Sequence, residues 1–231
     1  MSVELVKEEI ARFLTRTEAE VLCIRGKWGV GKTYTWSKAI EAAQRANAIR
    51  LPRYSYVSLF GVGSLDELKF AIFENVITLS GGVRRPDIET LDEFVSSRFS
   101  WRKWARLVRA VPIVKNAIGG DATSLVSFMT IRDQIICIDD LERCGQNLSV
   151  NDVLGLISYL REQRNCKVVL ILNDEMLEQE DKRDFAKHLE KVIDLSLAYE
   201  PRPGDSVKIA IQGTDDVSLL IAERCVSLGP H

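Results

Sequence analysis

No uncharged stretch of this chain reaches the roughly 18 residues that a helix needs to cross a bilayer, so the sequence reads as soluble. The first residues carry Glu4, Glu8 and Glu9 where a secretion signal would need an apolar core, so no such signal is expected there. An excess of either charge is also missing. With 31 Lys and Arg against 33 Asp and Glu the formal charge is -2, so any binding to nucleic acid must be local rather than a property of the whole surface. Five cysteines, an odd number, stand apart with no paired metal spacing, and Cys23 and Cys137 fall in apolar runs. Reduced thiols suit that pattern better than a disulfide framework, and the expected location is cytoplasmic. Internal repeats and low-complexity tracts are absent. What remains is a globular balance of 46% hydrophobic and 28% charged residues over 231 positions, enough for one α/β domain of ordinary to large size.

Within that balance one stretch stands out: Gly26-Lys27-Trp28-Gly29-Val30-Gly31-Lys32-Thr33, with Tyr34 after it. Two glycines five apart followed by Lys and a hydroxyl residue form the phosphate-loop pattern. The apolar strand-like run Val21–Ile24 precedes it and a helix-like run from Tyr34 to Ala46 follows, which is the order the motif requires. The glycines let backbone N–H groups turn inward around phosphates at the positive end of a helix. Lys32 is expected to neutralise the β and γ phosphates, and the Thr33 hydroxyl to ligate Mg²⁺.

Gln134-Ile135-Ile136-Cys137-Ile138-Asp139-Asp140 supplies the second anchor, a buried strand that ends in two carboxylates. Opposite Thr33, Asp139 is expected to hold Mg²⁺ directly or through water. The next acid would orient or deprotonate the attacking water. That role goes to Asp140, with Glu142 competing because the geometry of the strand end is not written in the sequence. A further apolar strand, Lys167–Leu172, stops at Asn173, an amide placed to hydrogen-bond a γ phosphate or the water; an Asn opening a turn is the alternative. No Asn-Lys-x-Asp guanine signature is present, which favours ATP over GTP.

Helices are expected at residues 3–14, from Leu65 through Val76 to Leu79 behind the capping box Ser64-x-x-Glu67, after Ser149-x-x-Asp152, at 178–190 and at 214–228. Further strands are expected at 53–60 and 192–197. Residues 83–132 read as an inserted segment. Inside it Arg102, Lys103, Arg106, Arg109 and Lys115 accompany tryptophans with no acid between Trp101 and Gly120. A helix packed on its own domain is the simpler account of segment 101–115; contact with nucleic acid, membrane or a partner is the other.

These motifs together resemble the KAP class of phosphate-loop NTPases, a group common in bacterial defence loci. The loop including Trp28, the strand Tyr56-Val57-Ser58-Leu59-Phe60-Gly61 and the acidic stretch Ile138-Asp139-Asp140-Leu141-Glu142-Arg143-Cys144 carry the resemblance, which spans about residues 15–200. It implies a three-layer αβα fold with a five-stranded parallel sheet of the ASCE type, related to AAA+ and STAND switches. The helical insertion would lie between strands 2 and 3, and a partial helical lid would occupy 201–231. It further implies an ATPase that changes conformation or assembly, as a homo-oligomer in its full-length context with an unidentified effector. Many members carry membrane-spanning helices between the two nucleotide motifs, where this chain is too charged. The lid arginine usual in the family is also missing before His231, as in a truncated module or short form. Arg143, Arg161, Arg164 and Arg183 are candidates for an arginine acting in a neighbouring subunit's site. Two other classes compete: a nucleotide-gated binding module using 101–115, and a small-molecule phosphotransferase, against which the adjacent acids and Asn173 speak.

Overall fold

Five of the expected apolar runs lie side by side as parallel strands. In chain order the strands are β1 (Val21–Arg25), β2 (Arg53–Ser58), β3 (Val76–Thr78), β4 (Gln134–Asp139), β5 (Lys167–Leu172) and β6 (Leu195–Ala198). They form one sheet in the order β3-β2-β4-β5-β1-β6, with every pairing parallel except β2 with β3. The computed structural model describes residues 3–79, 128, 130–145, 147–201 and 205. The expected insertion at 83–132, with the basic segment 101–115, lies largely outside them. So do the lid and helix of 201–231.

A parallel sheet covered on both faces needs strands apolar on both faces, and every residue of β4 and β5 is buried. Alternation divides their side chains between two layers. Leu22, Ile24, Tyr54, Ile135, Cys137, Val169 and Ile171 meet α1 (Val3–Thr15) and α2 (Lys32–Arg45) through Val6, Ile10, Phe13, Trp36 and Ile40. On the other face Cys23, Val57, Ile136, Ile138, Val168 and Leu170 pack against α3 (Leu65–Glu74), α4 (Val150–Arg164) and α5 (Gln179–Val192). The result is the expected αβα sandwich. Among the described residues no helix is long and apolar enough to cross a membrane.

The sheet differs from expectation at one edge, where it has six strands rather than five. The helix after Ser64 ends at Glu74, capped by Asn75, and does not continue through Val76 to Leu79. Val76-Ile77-Thr78 is instead a run of β-branched residues that pairs antiparallel with Arg53–Ser55, because such side chains crowd a helix and suit a pleated edge. The insertion therefore follows β3 rather than β2. At the opposite edge the last strand begins at Leu195, since Val192 still closes α5 and Asp194 is drawn aside to accept the Val21 N–H at 2.8 Å.

Candidate nucleotide-binding site

The alternation that buries Ile135 and Cys137 beneath α2 sends the next residue on that face, Asp139, to the point where α2 begins. There Thr33 Oγ1 donates to Asp139 Oδ2 at 2.6 Å. The two side chains expected to share a metal ion are thus neighbours, and Asp139 is buried. Tyr56 Oη also donates to Asp139 Oδ2, at 2.9 Å, and the Asp140 N–H donates to Oδ1 at 2.8 Å. Burial and the adjacent Asp139 push the Tyr56 phenol above its ordinary value, so it stays a donor.

The loop itself is shaped by its glycines. Gly29 and Gly31 adopt φ of 75° and 93°, in the left-handed region that other residues enter only at a cost. At Gly26 the constraint is space: a Cβ there would lie 2.5 Å from the main-chain oxygen of Tyr199. Tyr199 also meets the first turn of α2 through its hydroxyl, 2.7 Å from Thr35 Oγ1. Lys32 Nζ donates to the carbonyls of Gly26 and Lys27 at 2.6 and 2.8 Å, which holds its ammonium inside the loop. Burial pushes this ammonium below its ordinary pKa; the charges of Glu142 first, then Asp139, Asp140 and Asp174, oppose the shift. The flanking Lys27 and Tyr34 are exposed, and Val30 packs partly on the α1–α2 layer.

The two candidate water-activating acids sit differently. Asp140 has φ 60° and ψ 42°, which ends β4 and turns the chain into a short 3₁₀ segment, Leu141–Arg143. Its Oδ2 accepts from Ser58 Oγ at 2.7 Å and its Oδ1 lies 3.9 Å from Arg143. Glu142 reaches back across the mouth of the loop, where its Oε1 accepts from Trp28 Nε1 at 2.6 Å. Asn173, buried on the same sheet face as Asp139, uses Oδ1 to accept the Glu175 N–H at 3.3 Å, so it also opens a turn.

Of the arginines considered for a neighbouring subunit, Arg143 lies at this end, its guanidinium 3.8 Å from the centroid of the exposed Phe60 ring. Arg161 is tied to Asp194 at 3.0 Å, Arg164 sits over Phe128 and Tyr159, and Arg183 is exposed on α5. Sequence reasoning missed Tyr56, Ser58 and Tyr199. The first two are polar side chains alternating on a strand that pairs in register with β4, Ser58 opposite Asp139; the alternation was the available signal, the pairing was not.

Hard oxygen donors from a hydroxyl and a carboxylate, beside a buried ammonium and a left-handed glycine loop, fit a magnesium-bound triphosphate. Among the described residues no group of three or more His, Cys, Asp or Glu is placed to hold a metal ion.

Comparison with known families matches residues 4–212 to the KAP family P-loop domain. Curated proteins give no match. Among solved structures the chain is similar to the Aeropyrum pernix ORC2 protein in its ADP form. The TM-score is 0.57 at 12% identity, over 98% of this chain and 56% of that one. It is also similar to Drosophila ORC bound to DNA, with a TM-score of 0.50 at 14% identity, over 98% of this chain and 50% of that one. This chain therefore spans about half the length of those solved chains, and identities this low speak to the fold alone.

Proposed function

The chain belongs to the KAP family of P-loop domains, and from that premise we propose that it binds MgATP at the Gly26–Thr33 loop and hydrolyses it. The observation that carries the reading is the 2.6 Å bond between Thr33 and Asp139 beside the buried Lys32, because the motif's chemistry needs those three groups together. The loop amides and Lys32 would hold the phosphates, and Thr33 and Asp139 would hold the ion. When bound, Mg²⁺ supplies charge neutralisation across the β and γ phosphates. Tyr56 keeps the Asp139 carboxylate aimed at Thr33, and Asn173 offers its amide nitrogen toward the γ phosphate. Water activation falls to Asp140 or Glu142. An adenine nucleotide is supported by the missing guanine signature.

On the same reading hydrolysis drives a conformational or assembly switch, in line with the family resemblance to bacterial antiviral defence proteins. An effector and further copies of the chain are its partners. Nucleotide titration of the wild type and Lys32→Ala, following both mass in solution and phosphate release, tests this. Nucleotide-dependent change in mass and phosphate release, both lost in the variant, supports the proposal; unchanged ATP binding by Lys32→Ala contradicts it.

A further inference from the structure

The sequence leaves two acids competing to activate water, and the surroundings of their oxygens separate them. Asp140 is already engaged: its Oδ2 accepts from the Ser58 hydroxyl at the end of β2, and its Oδ1 lies 3.9 Å from the Arg143 guanidinium three residues further on. Glu142 has one oxygen fixed by the indole of Trp28. Its other oxygen, Oε2, is buried and has no hydrogen-bond partner among the described residues. A bare buried carboxylate oxygen is costly, and one retained beside a phosphate loop has a reason to be there. The charge of Glu142 also acts on the Lys32 ammonium, more strongly than that of Asp140.

The positive φ of Asp140 explains how Glu142 comes to this point. A left-handed residue directly after Asp139 ends the strand, and the following 3₁₀ turn brings Glu142 to Trp28 of the loop. Trp28 is the loop residue that meets it. Half exposed and unneeded by the core, this tryptophan is aimed at a residue 114 positions away.

We propose that Glu142 Oε2, rather than Asp140, takes the proton of the attacking water, and that Trp28 is the positioning residue that presents it. This rests on the ATPase reading above. In the step, the water oxygen forms a bond to the γ phosphorus while Oε2 accepts one water proton. The bond from that phosphorus to the β,γ-bridging oxygen breaks, and its electron pair stays on ADP. Inorganic phosphate leaves, and Glu142 returns the proton to solvent. Trp28 touches none of these atoms; its indole N–H neutralises part of the charge on Oε1 and fixes the rotamer.

The test uses Glu142→Gln, Trp28→Phe, the double variant and Asp140→Asn, with kcat, ATP affinity by calorimetry, and the indole N–H resonance of Trp28, identified by its loss in Trp28→Phe. Glu142→Gln is expected to lower kcat about 1,000-fold, within the range of a lost general base, with ATP affinity within about twofold. Trp28→Phe is expected to lower kcat about tenfold, also at constant affinity, and to add nothing in the Glu142→Gln background. The Trp28 indole resonance moves upfield in Glu142→Gln whether or not nucleotide is present. Asp140→Asn costs less than Glu142→Gln. If Glu142→Gln keeps kcat within about threefold, if Trp28→Phe lowers it equally in both backgrounds, or if Asp140→Asn is the more damaging change, the assignment is overturned. A wild type that neither binds nor hydrolyses ATP would instead refute the ATPase reading. In that case an unmoved indole resonance would separately refute the Trp28–Glu142 contact.

Discussion

Two lysines lie buried at opposite ends of the parallel sheet, and the contrast between them separates chemistry from architecture. Lys32 is 8% exposed at the carboxyl end and Lys167 is 1% exposed at the amino end. Each ammonium donates to two main-chain carbonyls: Lys32 to those of Gly26 and Lys27, Lys167 to those of Phe13 and Arg16. Burial pushes both below their ordinary pKa. Their company differs. Lys167 sits 4.5 Å from the centroid of the Phe13 ring and satisfies carbonyls at the end of α1, where a cation also suits the helix dipole. Around Lys32 stand four acids, two left-handed glycines and open space beside Gly29. A buried lysine alone therefore says little; a buried lysine in a left-handed glycine loop, beside Thr33 bonded to Asp139, marks a site.

The comparison breaks most visibly if the two positions can be exchanged in effect. Replacing Lys32 with Ala should lower ATP affinity about 100-fold, equivalent to ~2.7 kcal/mol, as titration calorimetry would report. Lys167→Met should act on stability alone. It keeps an apolar stem but strands two carbonyls, costing about 2 kcal/mol in urea unfolding with no change in ATP affinity. A loss of ATP binding in Lys167→Met would erase the distinction.

Three buried thiols sharpen it, because burial there acts on neutral groups. Desolvation raises the thiol of Cys23 to about 12 and that of Cys166 to about 11, and pushes Cys137 well above its usual value. With folded values above unfolded ones, the stability tied to these thiols is complete below about pH 9. It is lost as pH rises through the folded values, because the unfolded chain gives up its protons first. Between pH 9 and 10 each should remove about 1 kcal/mol in denaturant titrations, and Cys23→Val should abolish its share.

A smaller effect is expected from the cap of α4. Ser149 accepts the Asp152 N–H at 3.1 Å in a reciprocal capping box near the site, and Ser149→Ala should cost about 0.8 kcal/mol without altering ATP affinity. That outcome would show that polar groups at the carboxyl end are not all engaged in chemistry.

The phosphate loop and the strand ending in Asp139 were legible because each is local: one is a fixed spacing, the other an unbroken apolar run that only a doubly covered strand needs. β3 was hidden because Leu65, Leu68, Ile72 and Val76 keep helical spacing through Asn75, where the helix in fact stops. The contacts that organise the site were beyond reach for a different reason. Strand alternation shows that Tyr56 and Ser58 share a face, but not that β2 lies beside β4. Trp28 and Glu142 belong to separate motifs, and only the left-handed turn at Asp140 brings them together.

The central claim is that a triphosphate and a divalent ion are held jointly by the loop and Asp139. Calorimetric titration of ATP into wild type and Asp139→Asn, each with Mg²⁺ and with EDTA, tests it most directly. The account predicts that Mg²⁺ strengthens binding by about tenfold or more in the wild type and that the variant loses this gain while still binding weakly. Equal dependence on Mg²⁺ in both proteins would contradict it.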